Sequence, residues 1–433
     1  MRSWQTLTIN RVSPRHDGAA QEEAHVVSHW GLLRARDFRL VWLSQLVSQI
    51  ADGISNLALL WFVYSITGSP VKTTIIGLLH TIPPIVFGPF IGVYVDRLPK
   101  KFFLIGSNTL RAVLIGVIPC AIHTDTFTVN LLYVLVLLDA MAIAMFNPAL
   151  TSSVPLIVPR TQFTAANALL QSTTSLGIIF GPAVSGIGIA LFGSQEVLCL
   201  NAVTYFVSAL CLWLVRLETR DASARSKRAG GSALQDLMEG LAFVAIKQRV
   251  ILVLIVTAGC YAFGSSALTT LFPVFARKLL GVGPIEVGYL WSALGVGLLL
   301  MSMTLLRFTE WNVSDRTRII AGVSVASAVA IATLAVTKDL SLVSLLMIAI
   351  GGGLGAFTPI AWGVIQELTP DVMVGRVLGL YGTGAMVAAI SGISAFGWVT
   401  ERFGEATGVA GIGMTFLLTA FLGSWLSRSI RNR

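Results

Sequence analysis

The chain has 433 residues, 55% of them hydrophobic and only 12% charged, and its mean hydropathy is +0.80. Soluble domains carry about a quarter of their residues charged, so this composition excludes a soluble enzyme or binding module and describes an integral membrane protein. A net charge of +9 would suggest a nucleic-acid partner in a soluble chain, but here it must first be tested against the topology of the loops.

Residues 1–38 are polar, contain Arg2, Arg11, Arg15, Arg34 and Arg36, and have no apolar signal core before a small-residue cleavage site, which reads as a cytosolic N-terminal tail. Twelve apolar stretches follow, each long enough for the roughly 20 residues that a spanning helix needs. They fall at about 39–65, 73–95, 102–121, 130–155, 166–192, 197–215, 250–275, 285–306, 318–336, 340–366, 376–400 and 407–427. With the N-terminus inside, the inner loops and tails hold 24 Lys and Arg residues and the outer loops only Lys72, Arg277, Lys278, Lys338 and Arg402. That bias puts both termini in the cytosol and accounts for the basic charge with no nucleic acid. Cys120, Cys199, Cys211 and Cys260 all lie in apolar stretches with no metal-ligand spacing and read as small buried hydrophobes.

The longest connection, 217–248, divides the spans six and six. Its first part is charged and glycine-containing, as in a linker. From Ser232 a capping-box spacing to Gln235 precedes Leu234, Leu237, Met238, Leu241 and Ala245 on one helical stripe, the pattern of an amphipathic helix on the cytosolic membrane surface or of an upstream extension of span 7. The expected organisation is a tail at 1–38, a six-helix bundle at 39–216, the linker at 217–248, and a second six-helix bundle with a short cytosolic tail at 249–433.

The two halves repeat at a constant shift of 211 residues. Phe146 and Pro148 match Phe357 and Pro359; Gly53, Gly77, Gly181, Gly186 and Gly193 match Gly264, Gly288, Gly392, Gly397 and Gly404. An even number of spans keeps both copies in one orientation, so the expected fold is an all-α membrane protein, twelve transmembrane helices in two six-helix halves related by a pseudo-two-fold axis along the membrane normal. The ionisable residues break that symmetry: Asp52, His80, Arg111 and Asp139 have Phe263, Trp291, Gly322 and Ile350 as counterparts. A charge at the bilayer centre costs on the order of 2.5–3.5 kcal/mol, so Asp52, Arg111 and Asp139 near mid-depth call for a function.

Gln45, Gln49, Asp52 and Asn56 share one face of span 1, which must avoid lipid. That face either lines a water-accessible cavity, with Asp52 as a proton site because partial desolvation penalises its ionised form, or forms a hydrogen-bonded seam between helices. For Arg111 and Asp139 a buried ion pair is the simpler role, and for His80 a satisfied interhelical histidine. Nothing supports ATP hydrolysis, a metal site, a cofactor or soluble-enzyme chemistry. The glycines of Gly351-Gly352-Gly353-x-Gly355 lie within a span without a following Lys-Ser/Thr and read as helix-packing residues.

Two motifs carry a family resemblance. Gly92-x-x-x-Asp96-Arg97-x-Pro99-Lys100-Lys101 resembles the signature loop of the major facilitator superfamily, and Gly177-x-x-x-Gly181-Pro182-x-x-Ser185-Gly186 resembles that superfamily's antiporter motif. The segment from Phe38 to Gly53, with Gly375-Arg376 before span 11, looks like the branch that contains macrolide-efflux proteins and the enterobactin exporter. Pro99 and Ser185 stand where the patterns have glycine, span 4 lacks the superfamily's usual arginine, and Arg307-Phe308 opposite Asp96-Arg97 leaves the signature loop unduplicated.

The resemblance implies halves that rock around a central cavity lined by spans 1, 4, 7 and 10: Gln45, Gln49, Asp52 and Asn56, then Asp139 and Asn147, Tyr261 and Ser265, and Phe357 and Trp362. It also implies a cytosolic clasp from Asp96 to the start of span 11 near Gly375 and Arg376, where the helix end carries partial positive charge. The expected activity is proton-coupled export of amphipathic or apolar small molecules such as drugs or siderophores from the cell membrane by a monomer, with Asp52, Asp139 and Arg111 as coupling candidates. Proton-coupled uptake of a nutrient or siderophore, and a non-transporting receptor on the same scaffold, are the alternatives.

Overall fold

The computed structural model describes residues 29–97, 99–159, 162–216, 241–242, 244, 248–306 and 312–431. Among these residues a 3-10 turn at His29–Arg34 leads into twelve long helices: α1 Arg36–Thr67, α2 Pro70–Arg97, α3 Lys100–His123, α4 Val129–Ile157, α5 Phe163–Phe192, α6 Ser194–Trp213, α7 Arg249–Phe275, α8 Pro284–Leu306, α9 Val313–Leu334, α10 Leu340–Leu368, α11 Asp371–Phe403 and α12 Glu405–Arg431. A π turn, Ala276–Leu280, ends α7. Most helices run a turn beyond the apolar stretch that announces them, α11 reaching from 371 to 403 against an expected 376–400. Hydropathy marks the part that lies in lipid, whereas the backbone ladder continues until something caps it. Thr128 accepts from the Leu131 amide at the start of α4, Asp339 from Ser341 and Leu342 at the start of α10, and Gly68 closes α1 in the left-handed conformation at φ 62°. Eleven helices among the described residues are long and apolar enough to cross a membrane; α2 completes the twelve by packing on α4 and α11.

The packing repeats as the sequence does. α1 lies against α5 and α6, α2 against α4, and α3 against α4 and α6; α7 lies against α11 and α12, α8 against α10, and α9 against α10 and α12. Glycine permits the closest approaches. A methyl group at Gly181 would lie 2.6 Å from Cα of Gly53, and one at Gly392 would meet the backbone of Phe263, the neighbour of Gly264. These are the pairs that the 211-residue shift matches. The α10 glycines serve close packing, as expected, Gly353 on α9 and the others on α8: a methyl at Gly355 would sit 2.8 Å from the carbonyl oxygen of Leu298. The four cysteines correct an expectation. Cys120 and Cys199 are exposed and Cys211 and Cys260 partly so, because they occupy outward helix faces that an apolar stretch alone does not distinguish from inward ones.

One end of the bundle, which we call the basic end, holds Arg36, Lys100, Arg249, Arg316, Arg376 and Arg431. At the opposite end a single apolar core joins both halves, running from Leu57, Trp61 and Tyr64 of α1 through Phe272 and Phe275 of α7 to Trp291 of α8 and Phe416 of α12. Towards the basic end that core gives way to two. One belongs to the first half, around Phe38, Phe103, Phe146 and Leu212; the other belongs to the second, around Ile251, Phe357, Val364 and Val377. Several contacts join the halves at the opposite end. Gly186 and Pro182 of α5 meet Gly288 and Pro284 of α8, Ser292 donates to the Ile179 carbonyl at 2.5 Å, Gly77 meets Thr270, and Gly397 meets Thr74. Of the linker, 217–240 and the stripe residue Ala245 lie outside the described residues, so the amphipathic helix expected there falls almost wholly outside them.

Candidate functional site

Three helices of the first half bring their mid-depth charges together where the joined core ends. Arg111 of α3 is almost fully buried, at 2% exposure, between two carboxylates. Its Nη2 donates to Oδ1 of Asp52 on α1 at 2.5 Å, and its Nε donates to Oδ1 of Asp139 on α4 at 3.0 Å. Tyr205 of α6 closes the group: its hydroxyl accepts from Arg111 Nη2 at 2.6 Å and donates to Asp52 Oδ1 at 2.9 Å, and the guanidinium carbon lies 4.1 Å from its ring centroid. The expected Arg111–Asp139 pair is present, and Asp52 shares the same cation.

The two carboxylates differ in access. Asp139 is 1% exposed and its Oδ2 has no hydrogen-bond partner, whereas the Asp52 side chain is 30% exposed. One cation faces two acids, so the cluster is electrically balanced when it holds one proton and carries an uncompensated negative charge when it holds none. In a low-dielectric interior that difference is large. The exposed edge of the cluster is the Asp52 side.

The polar face of α1 divides into two stripes one residue apart. Ser44 and Ser55 make the hydrogen-bonded seam: Ser44 Oγ and Ser208 Oγ are 2.8 Å apart, Asn108 Nδ2 donates to Ser208 Oγ at 2.8 Å, and Asn201 Nδ2 donates to Ser55 Oγ at 2.5 Å. On the expected stripe Asn56 is exposed, Asp52 and Gln49 are partly exposed, and Gln45 is buried with its Oε1 unpartnered. Gln49 also packs its backbone against Gly177 of α5.

The other expected lining residues are spread across α4, α7 and α10. Asn147 and Trp362 are exposed, and Tyr261 and Ser265 partly so. Phe357 is fully buried: its ring stacks under that of Tyr261 at 4.1 Å between centroids, so it supports the tyrosine instead of offering a surface. His80 departs from the expectation of a satisfied histidine at one atom, since its Nε2 is buried with no hydrogen-bond partner.

Of the expected gating residues, Gly92, Asp96 and Arg97 end α2, where side chains lie outside the described part. Lys100 and Lys101 open α3, and Lys101 Nζ donates to the Val215 carbonyl beyond α6, within its own half. Gly375 and Arg376 lie in the second turn of α11. The antiporter-like motif has two contacts: Gly177 and Gly181 seat α5 on α1, and Pro182 and Gly186 seat it on α8 across the halves. Tyr205 was missed from the sequence because nothing in its apolar surroundings marks it; a tyrosine on span 6 gains meaning only once α6 is known to face α1 and α3.

Residues 27–429 match the family described as transmembrane secretion effector. The chain is 24% identical over 275 residues to macrolide efflux protein A of Streptococcus pyogenes, covering 64% of this chain and 67% of that one. It is 26% identical over 401 residues to the multidrug efflux pump Tap of Mycolicibacterium fortuitum, covering 90% and 95%. Among solved structures, a bacterial homologue of the human lysosomal transporter Spinster superposes with a TM-score of 0.70 at 13% identity over 92% of this chain and 98% of that one. The nucleoside transporter NupG gives 0.68 at 14% over 91% and 98%.

Proposed function

Because the chain belongs to the transmembrane secretion effector family of the major facilitator superfamily, and is therefore a multi-pass membrane transporter and not an enzyme, we propose that it exports amphipathic or apolar small molecules in exchange for protons. The observation that carries the reading is the Asp52–Arg111–Asp139 cluster, one buried cation shared by two carboxylates at the level where a joined core divides in two. The basic end is the cytosolic one, with both termini inside the cell membrane's inner face.

In this mechanism the proton binds at Asp52, the carboxylate that water reaches. Protonation removes one of the two acids competing for Arg111. The unpartnered Oδ2 of Asp139 is then available to a second guanidinium N–H, and the pair becomes a two-pronged one. α1 is thereby released from α3 and α4, and its shift biases the halves towards the other orientation. Inward movement of the proton supplies about 2.3 kcal/mol per 100 mV, before any pH gradient is added. Solutes enter between the separate cores, where Asn56, Asn147, Tyr261, Ser265 and Trp362 offer aromatic and neutral polar surface. Such a surface suits an amphipathic molecule better than an anionic one. One chain holds both halves, so a monomer suffices.

Everted membrane vesicles test this, with a macrolide and ethidium as probes. Uptake into the vesicles should need an imposed pH gradient and stop when nigericin collapses it. Uptake that persists after both the pH gradient and the membrane potential are abolished would overturn the proton-coupled reading.

A further inference from the structure

At the end opposite the basic one, the first turn of α2 is capped by the other half of the molecule. Ser69 stands at its N-cap and Pro70 follows, with no N–H to satisfy. The Lys72 amide donates to Ser69 Oγ at 3.2 Å, within the turn. The Val71 amide instead donates to Oε2 of Glu401, near the end of α11, at 2.8 Å, and the Ser69 hydroxyl donates to the same oxygen at 2.5 Å. One carboxylate thus satisfies a helix N-terminus 330 residues away in sequence, where the partial positive charge of α2 favours an anion. At the same end Arg277, in the turn after α7, lies 5.4 Å and 5.7 Å from the ring centroids of Trp61 and Tyr64 on α1.

Neither contact has a copy. The 211-residue shift puts Ala190 at the place of Glu401 and Leu280 at that of Ser69, and on the α8 side the Gly283 amide is taken by Glu286 of the same turn. The α5–α8 seam joins the halves through glycine contacts and the neutral Ser292–Ile179 hydrogen bond; the α2–α11 seam adds a charged clasp. Separating these helix ends breaks two charge-assisted hydrogen bonds and hands the Val71 N–H to water.

We propose that Glu401, through Ser69 and the Val71 amide, holds the outer face of the transporter closed and so sets the balance between its two orientations. This rests on the alternating-access reading, and it is reciprocal in form to the clasp expected at Asp96, where a carboxylate at the end of α2 faces the start of α11. Glu401 is a positioning residue and touches no substrate.

Spin-label distances on the full chain in nanodiscs, without substrate or gradient, test the proposal. With the native cysteines replaced, one label pair at positions 125 and 336 spans the outer loops of the two halves, and a second at 216 and 431 spans the basic end. Glu401→Gln and Ser69→Ala should each raise the ratio of outer-open to outer-closed molecules by about tenfold, the equivalent of one charge-assisted hydrogen bond. The basic-end distances should shorten in step, and Glu401→Asp should restore part of the closed population. A label pair within the first half should not move, which separates a gating shift from loosened packing. Outer distance distributions unchanged in both Glu401→Gln and Ser69→Ala would overturn the proposal. Distances that never show a second population in any variant, whatever the pH, would instead count against alternating access itself.

Discussion

Replacing Arg111 by methionine keeps most of the side-chain volume of α3's central residue and removes the cluster's cation. The cost follows from what each acid loses. Asp139, 1% exposed, has Arg111 Nε as its hydrogen-bond donor and an Oδ2 already without one, so it is left buried and unpartnered. Asp52 keeps the Tyr205 hydroxyl and a side chain that is 30% exposed. The penalty therefore falls on Asp139, and breaking one side of a buried pair costs about 3–5 kcal/mol. At about 2 °C per kcal/mol, that is a fall in Tm of roughly 6–10 °C, read by tryptophan fluorescence in detergent. The double variant Arg111→Met, Asp139→Leu removes the orphaned acid as well and should recover at least half of the loss, since an apolar replacement of a buried pair is often close to neutral. A single variant that melts within a degree or two of the parent, or a double variant no better than the single, would refute the assignment of Asp139 as the buried anchor of the cluster.

Three further outcomes follow from packing and burial. Gly181→Val should destabilise by about 1–3 kcal/mol or more, because its first carbon would sit 2.6 Å from Gly53 Cα and 2.8 Å from the Ile50 carbonyl, both backbone; Gly375→Ala, in open space, should be neutral or slightly stabilising in the same melting assay. His80→Leu should leave Tm unchanged or raise it, since an unpartnered buried imidazole nitrogen is a cost of about 1–3 kcal/mol and its removal a relief; a clear loss of stability would reveal a partner for Nε2 in the folded protein. Trp362→Ala should weaken binding of a macrolide probe about tenfold, measured by fluorescence titration, while Trp398→Ala, exposed towards the end of α11, should leave it unchanged.

The twelve helices and their two-fold repetition were legible because each is written locally. Apolar length marks a span, and the glycines matched by the shift are the ones where helices touch, as Gly181 on Gly53 and Gly392 beside Gly264 illustrate. The depth of Asp52, Arg111 and Asp139 was legible by counting along each span. Which of them share a cation was only partly so. Helical periodicity tells which face a residue occupies and stays silent about which helix lies opposite, and every member of the cluster comes from a different helix. That is why Arg111 could be matched with Asp139 while Tyr205, the Ser44–Ser208–Asn108 seam and the Glu401 cap, joined across 94 to 332 residues, had no local signal. The reading of Phe357 as a lining residue failed for the same reason: its position on span 10 was right, and the ring of Tyr261 covers it.

The central claim is that Asp52 carries the proton that drives export. Asparagine at this position keeps the size and the acceptor that Arg111 and Tyr205 use, and imitates the protonated acid. In proteoliposomes with a macrolide as probe, Asp52→Asn should still exchange the macrolide across the membrane in counterflow and should fail to accumulate it when a pH gradient is imposed, whereas the parent protein does both. Full gradient-driven accumulation by Asp52→Asn would contradict the account.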